Sequence, residues 1–449
     1  MFIPHTDQER QEMLATIGVK SLEDLFSSVP PKYRFPKLNL PPALTEMEVH
    51  QYLADYADDN EDLQNLISFL GAGAYNHYIP AAVDSILRRG EFYTAYTPYQ
   101  PEVSQGTLQA IFDYQSLITA LTGMEVSNAS HYDGATAVAE AVTMAHAHFR
   151  GKRNQVVLSP ALNPMYRATA RTYHANTGIE FVGDEETQDL KAGPDDLARL
   201  INTNTALVIV QYPDFFGRIY DLSQLAKKTH EAGALFAVST YPIALGLLKP
   251  PGEFDADIVT GEGQPLGIPL SFGGPYLGIF TTKKEYVRKM AGRLVGETVD
   301  NRGQRAYVLT LTAREQHIRR EKATSNICSN QGLMVLAATV YLSLLGKQGL
   351  QQVANLCYQK AHYAAKQITK IKGFSMWSND PFFNEFVVKT PTNVKDINDH
   401  LLEHGIVGGY DLEQDYPSLK NHMLLAVTEI NSKEEIDYFV NVLKEGSHD

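Results

Sequence analysis

Short apolar runs alternate with amphipathic stretches between about residue 60 and residue 330. Continuous apolar runs are typical of strands buried on both faces, whereas amphipathic stretches are typical of helices. The alternation therefore predicts an α/β domain in which helices cover both faces of a mostly parallel sheet. The predicted strands are QVVLSP (155–160), IEFVG (179–183), TALVIVQYP (205–213), ALFAVST (234–240), DADIVTG (255–261) and YLGIFTT (276–282).

The helices of this domain have recognisable ends. The stretch QGTLQAIFDYQSLITALTG, residues 105–123, has apolar residues at helical spacing and stops at Gly123. A second helix is predicted between a capping Asp221 and Gly233. The stretch ALFAVSTYPIALGLLKPPG, residues 234–252, begins with a strand. The end of this strand should point into a cleft at the carboxyl edge of the sheet.

The first sixty residues have a different pattern. Short helices are predicted behind three capping boxes, which pair Thr6 with Glu9, Ser21 with Asp24, and Thr45 with Glu48. Between them, SSVPPKYRFPKLNLPP (27–42) is too rich in proline for a helix or a central strand. We interpret this region as an arm that lies over a neighbouring surface.

After residue 330 the pattern becomes helical and then mixed. Two long helical stretches are followed by strand, helix, strand and helix, which predicts a small α+β unit at the carboxyl end. The predicted domains are a helical arm (1–60), a large α/β domain (61–335), connecting helices (336–372) and a small α+β domain (373–449).

Composition narrows the class of protein. The formal net charge of −13 argues against nucleic acid or an anionic membrane as the main partner. No run approaches eighteen consecutive apolar residues, and the polar amino terminus is unlike a targeting peptide, so a cytosolic protein is expected. Cys328 and Cys357 are expected to be free thiols, and their spacing predicts no metal site.

Residues 92–106, FYTAYTPYQPEVSQG, form a stretch that we call the tyrosine segment. Tyr93, Tyr96 and Tyr99 lie among prolines that hold the backbone extended. Their phenols, together with Glu102, would suit the wall of an active site. A well-packed loop at a subunit contact explains the same residues equally well.

Two further stretches could hold an anion. Asp133-Gly134-Ala135-Thr136 opens an alanine-rich helix, whose start could bind a phosphate or simply be capped by Asp133. In 293–331, much of the charge of the arginines and glutamates is expected to neutralise itself on a solvated helix face. There Thr324, Ser325 and Asn326 stand beside cations, as in an anion-binding loop.

These stretches, in this order, resemble the glycine cleavage system P-protein. The resemblance rests on the strings YTPYQPEVSQG, GGPYLG and REQHIRREKATSNIC, and it covers nearly the whole chain. The similar part is the amino-terminal half of the P-protein, which in many bacteria is a separate chain, subunit 1. The resemblance implies a type I aminotransferase-like fold and a cytosolic α2β2 assembly with subunit 2. It also implies decarboxylation of glycine with pyridoxal phosphate, and transfer of the aminomethyl group to the lipoyl group of H-protein.

In that family a lysine forms the Schiff base and an aspartate pairs with the pyridinium nitrogen. Matching the family's glycine-rich turn to PLSFGGPY puts Gln264 at the lysine position, and the aspartate position falls on Tyr241. Lys249 and Lys283 are the nearest other lysines, and both look like solvated residues at strand ends.

The resemblance therefore implies half of an enzyme, with the cofactor bound covalently to subunit 2. We expect Tyr96, Tyr99 and Glu102 to complete the partner's site, and Thr324, Ser325 and Asn326 to lie near the partner's phosphate. Two alternatives stay open: a purely structural or docking subunit, and an independent pyridoxal phosphate enzyme that uses another lysine.

Overall fold

The computed structural model describes residues 4–446, which fall into two compact units, residues 4–62 and residues 63–446. The domain limits expected from the sequence stay predictions. Residues 447–449, at the end of the predicted small domain, and residues 1–3 of the predicted arm lie outside the described residues.

The first unit contains α1 (Asp7–Ile17) and α2 (Glu46–Asp58). Both begin with the predicted capping boxes, from Thr6 and Thr45. The third predicted box, Ser21 with Asp24, lies at a short 3-10 helix, Glu23–Phe26. Many apolar side chains of this unit are exposed, so its role as an arm over another surface stays a prediction.

The second unit contains the remaining elements. Its helices are α3 (Ala81–Leu87), α4 (Gly90–Tyr93), α5 (Gln105–Thr122), α6 (Gly134–His148), α7 (Pro164–His174), α8 (Ser223–Glu231), α9 (Gln316–Arg319), α10 (Gly332–Ile368), α11 (Val394–Glu403) and α12 (Lys433–Gly446). Its strands are β1 (Ile67–Ser68), β2 (Val126–Ser127), β3 (Gln155–Leu158), β4 (Glu180–Val182), β5 (Thr205–Tyr212), β6 (Leu235–Thr240), β7 (Ile258–Glu262), β8 (Gly278–Thr282), β9 (Leu294–Val299), β10 (Arg305–Thr310), β11 (Ser375–Met376), β12 (Glu385–Lys389), β13 (Ile406–Val407), β14 (Tyr410–Asp411) and β15 (His422–Ala426).

The large sheet has seven strands in the order β2-β8-β7-β6-β5-β3-β4. Strands β3 to β7 run parallel, as predicted, whereas β8 is antiparallel to both of its neighbours. The chain returns from β7 to β8 through a loop without a crossover helix, and this short connection reverses the strand direction. A mostly parallel sheet is therefore confirmed.

The strands of this sheet are apolar throughout because both faces are covered. In β5, Leu207 and Ile209 pack with α6 and α7 on one face, while Val208 and Val210 pack with α8 on the other. All four side chains are at most 2% exposed. The sheet is thus a rigid platform, and residues at the ends of its strands have defined positions.

The two helices predicted after residue 330 are present as the two halves of α10. α10 breaks at Gly346, whose φ of 57° and ψ of −173° are accessible almost only to glycine. Within residues 4–446, α10 is the helix that could span a membrane by length and composition, yet half of its apolar window is buried in the protein. It packs against α3, α5 and α12, as a core helix does.

The carboxyl-terminal strands form a four-stranded antiparallel sheet in the order β11-β12-β15-β14, which packs with α11 and α12. The sequence pattern predicted β12, β15 and both helices. It missed the β9–β10 hairpin and the short parallel pair of β1 with β13, because those pairings join residues without a distinctive local pattern.

The loop after β5 approaches β12 closely at Gly217, so a substitution of this glycine tests the packing. A Cβ on Gly217, where φ is 85°, would lie 1.9 Å from the carbonyl oxygen of Glu385. We expect Gly217→Ala to lower the free energy of unfolding by about 3 kcal/mol or more, measured by urea denaturation. The matched control is Gly303→Ala, at φ 78° with open space around it, which should cost only about 1–2 kcal/mol. Equal losses in both variants would contradict the close approach.

Candidate functional site

Three segments meet at the carboxyl edge of the large sheet, where ligands of open α/β sheets bind. Tyr241 directly follows β6, Gln264 follows β7, and Asp133 directly precedes α6. A fourth segment, residues 71–78, crosses this cleft and contacts Gln264 and the groups around Tyr241. The resemblance predicts cofactor-site positions at Tyr241 and Gln264, whereas the segment 71–78 has no sequence pattern that predicts its place here.

The side-chain amide of Gln264 is buried, with 1% of its surface exposed. Its Oε1 accepts from the backbone N–H of Tyr75 at 2.9 Å, and its Nε2 donates to the Tyr75 carbonyl at 2.9 Å. Nε2 also donates to the carbonyl of Ile268 at 2.8 Å. The amide therefore clamps a neighbouring backbone segment, and an amide cannot form a Schiff base.

Tyr241 occupies the position expected for the pyridinium partner. Its hydroxyl forms a short hydrogen bond with Nε2 of His77, and Nδ1 of the same ring lies 2.6 Å from Oε2 of Glu429. The ring of Tyr75 packs 4.5 Å from that of Tyr241. Burial raises the pKa of Tyr241 well above its ordinary value, so the phenol stays neutral and offers no negative charge to a cation.

The start of α6 is capped by side chains of its own first turn. Oδ1 of Asp133 accepts from the backbone N–H of Thr136 at 2.7 Å, and Oγ1 of Thr136 accepts from the backbone N–H of Asp133 at 3.1 Å. This capping box confirms the helix cap, one of the two interpretations that the sequence left open.

Glu262, at the end of β7, occupies the space in front of this helix start. Its Oε2 accepts from the backbone N–H of Gly134 at 2.9 Å. Its Oε1 accepts from the N–H groups of Gln264, at 2.9 Å, and Leu277, at 3.0 Å. Burial raises the pKa of Glu262 to about 8, against the lowering effect of these donors. The chain's own carboxyl group therefore stands where a helix start would otherwise bind an anion.

The two other candidate lysines are engaged away from the cleft. Nζ of Lys283 lies 2.7 Å from carboxylate oxygens of both Asp255 and Asp257. Asp257 directly precedes β7, so this lysine is at the opposite end of β7 from the cleft. Nζ of Lys249 lies 4.3 Å from the ring centroid of Phe254. Neither lysine is placed to substitute for the missing one at residue 264.

The tyrosine segment presents its rings to the outside of this chain. Tyr93 is 66% exposed, Tyr96 86% and Tyr99 50%, and Glu102 is also exposed. Tyr96 and Asn330 both line one groove. Exposed aromatic rings on a proline-rich loop are unusual for a surface that faces only water.

The predicted anion loop is only partly free. The hydroxyl of Ser325 donates to Oε1 of Glu140 at 2.7 Å, and burial raises the pKa of that carboxyl group to about 7. Thr324 lies in a small groove beside Arg314, whose guanidinium donates to two backbone carbonyls. Asn326 is exposed. These three residues lie together, but Ser325 is already bound to an acidic side chain.

Sequence reasoning missed the residue that joins the tyrosine segment to the loop after residue 327. Arg293, directly before β9, donates both to Tyr99 and to the loop at Cys328, Ser329 and Asn330. A single arginine before a strand has no pattern that marks it. Also, Glu315 is buried beside this arginine instead of lying on the solvated helix face that the sequence predicted.

No metal site was predicted from cysteine spacing. His77, Cys357 and Glu429 nevertheless place one potential ligand atom each within 4.8 Å of one another. Hydrogen bonds among these side chains already use the atoms: Sγ of Cys357 donates to Oε2 of Glu429 at 3.4 Å. The group arises from residues far apart in the chain, which spacing rules do not detect.

Comparison with known proteins agrees with this architecture. The family described as "Glycine cleavage system P-protein" matches residues 1–443. A relative from Thermomicrobium roseum, named as glycine dehydrogenase (decarboxylating) subunit 1, is 55% identical over 447 residues and covers 100% of both chains.

Two solved structures extend the comparison. A crystal structure of glycine decarboxylase (P-protein) of the glycine cleavage system, in inhibitor-bound form, superposes with a TM-score of 0.91 at 41% identity, covering 99% of this chain and 100% of that one. Glutamate decarboxylase of Lactobacillus brevis shares the fold, with a TM-score of 0.69 at 14% identity over 95% of this chain and 97% of its own. The type I fold of pyridoxal phosphate enzymes is thus confirmed, and the chain belongs to the glycine cleavage system P-protein family, among its subunit 1 members.

Proposed function

We propose that this chain is the half of a glycine-decarboxylating P-protein that does not bind the cofactor, and that it completes the site of a lysine-bearing subunit 2. The observation that supports the proposal is the buried amide of Gln264. Gln264 stands at the position where a Schiff-base lysine would be needed, and its amide is hydrogen-bonded to the backbone of Tyr75. Tyr241 and Glu262 add to it, since neither provides what pyridoxal phosphate requires at its position. The residues of this cleft do not fit the cofactor.

The tyrosine segment supports a role at the partner's site. In this chain Tyr96 is almost fully exposed, so its ring contributes little to the chain's own packing. An aromatic ring with a hydroxyl is a good residue for an interface or a substrate wall. Tyr96, Tyr99 and Glu102 are the proposed wall, and Thr324, Ser325 and Asn326 are proposed to lie near the partner's phosphate.

The assembly and its reaction belong to the same proposal. Two copies of this chain and two of subunit 2 would form an α2β2 tetramer in the cytosol, decarboxylate glycine, and pass the aminomethyl group to the lipoyl group of H-protein. The name of the Thermomicrobium relative, a subunit 1, supports the need for a partner. Both cysteines of this chain are free thiols, as suits a reducing compartment.

A purely structural subunit is the second candidate. It is favoured by the hydrogen bond from Arg293 to Tyr99, which shows that one of the three tyrosines serves the fold of this chain. An independent pyridoxal phosphate enzyme is disfavoured, because Lys283 is held by two carboxylates and Lys249 lies against Phe254.

One prediction of this proposal concerns the cofactor. The purified chain, mixed with pyridoxal phosphate, should show no aldimine absorption band, and borohydride should leave no reduced adduct on it, because the cleft has no free amine. With subunit 2 present, the adduct should form on subunit 2. A trapped adduct on a lysine of this chain, located by peptide mass spectrometry, would contradict the proposal.

Another prediction of this proposal concerns Tyr96. Replacing Tyr96 with alanine should lower the glycine decarboxylation rate of the reconstituted complex on the order of tenfold or more, because a wall of the site is lost. Stability of the chain alone should change little, since the ring is exposed. The matched control is Tyr438→Ala, at a half-exposed tyrosine on α12. If both variants retain the wild-type rate, the structural-subunit alternative is favoured.

A further inference from the structure

Arg293 is a buried cation to which the proposed function assigns no role. Only 2% of its side chain is exposed. Its backbone carbonyl accepts from the N–H of Ala129 at 2.8 Å, and β9 begins at the next residue. The main chain therefore holds this side chain at a defined place beside the large sheet.

The guanidinium group joins two segments. Nη1 donates to Oγ of Ser329 at 3.1 Å and to Oδ1 of Asn330 at 3.0 Å. Nη2 donates to the carbonyl of Cys328 at 2.8 Å and to the hydroxyl of Tyr99 at 3.1 Å. Only a planar fork of donors can serve four acceptors in this arrangement.

Tyr99 is held on a second side as well. The ring of His317 packs edge-on against it, with centroids 5.6 Å apart. Nδ1 of His317 lies 3.7 Å from Oε2 of Glu315, and the same carboxylate lies 3.9 Å from Nε of Arg293. The buried charge of Arg293 is thus balanced nearby, and Tyr99 stands between a cation and an imidazole ring.

Both joined segments line one groove of about 140 Å³. Tyr96 and Thr97 of the tyrosine segment are among its lining residues, as are Ser329 and Asn330 of the following loop. The relative position of the two segments depends on Arg293, which donates to both. In the described part of the chain, Nδ2 of Asn330 is buried without a hydrogen-bond partner, so a donor remains unused beside this groove.

We propose that Arg293 is a positioning residue for glycine decarboxylation: it fixes the tyrosine segment against the 328–330 loop, so that the exposed tyrosines meet subunit 2 in one geometry. The inference rests on the proposed function. Lysine cannot replace Arg293, because an ammonium group lacks the planar fork that reaches both segments.

The test uses the complex reconstituted from this chain, subunit 2 and lipoylated H-protein. Arg293→Lys should lower kcat about 10- to 100-fold and change the KM for glycine much less, because small misplacement of a wall affects the transition state most. Tyr99→Phe removes one hydroxyl and should lower kcat roughly twofold to tenfold. The double variant should be no slower than Arg293→Lys alone, since both changes break the same link.

The matched control is Arg153→Ala. Nη1 of Arg153 donates to the backbone carbonyls of Thr205, Ala232 and Gly233 at the amino ends of the parallel strands, away from the groove. It should lose stability but keep kcat. If Arg293→Lys fails to fold, Tyr99→Phe carries the test by itself.

Different outcomes would overturn the proposed function and the positioning role of Arg293. If the wild-type chain does not raise the activity of subunit 2, the proposed function is overturned and the role of Arg293 falls with it. If the wild-type chain is required but Tyr99→Phe, or a folded Arg293→Lys, keeps the wild-type kcat, only the positioning role is overturned.

Discussion

The two hydrogen bonds between the Gln264 amide and the backbone of Tyr75 are the constraint on which the carboxyl edge of the sheet depends. They hold residues 71–78 across the cleft. The side-chain amide of Gln264 takes the place that a neighbouring strand's backbone has in a β-sheet. The same segment is fixed at the C-terminal sheet, where Glu385 accepts from the N–H of Ala72 at 2.7 Å and from the Tyr75 hydroxyl at 2.7 Å. One buried amide thus helps to connect the two sheets.

The polar groups of this cleft are satisfied by one another, because buried donors and acceptors without partners are costly. Glu262 takes the N–H at the start of α6, and His77 links Tyr241 to Glu429. The N–H of Tyr78 also donates to Glu429, at 2.8 Å. These contacts turn a potential binding site into a packed junction, while the groups that stay exposed lie on the tyrosine segment.

The division between a closed cleft and an exposed aromatic segment is the structural basis of the proposal that this chain acts through another subunit. Gln264, Tyr241 and Glu262 are buried within the chain's own structure, whereas Tyr96 is 86% exposed. Arg293 fixes the tyrosine segment to the rest of the chain, since its backbone carbonyl accepts from the N–H of Ala129 and its guanidinium donates to Tyr99 and to the carbonyl of Cys328.

The sequence by itself determined the elements with a local cause: the apolar strands β3 to β7, the capping boxes at Thr6 and Thr45, and the absence of a lysine at residue 264. Each depends on residues within a few positions of one another. The tertiary structure decided the partners of those residues. Gln264 meets Tyr75 across 189 positions, and Arg293 meets Tyr99 across 194. Such contacts have no periodicity or motif, because chain folding alone brings the groups together.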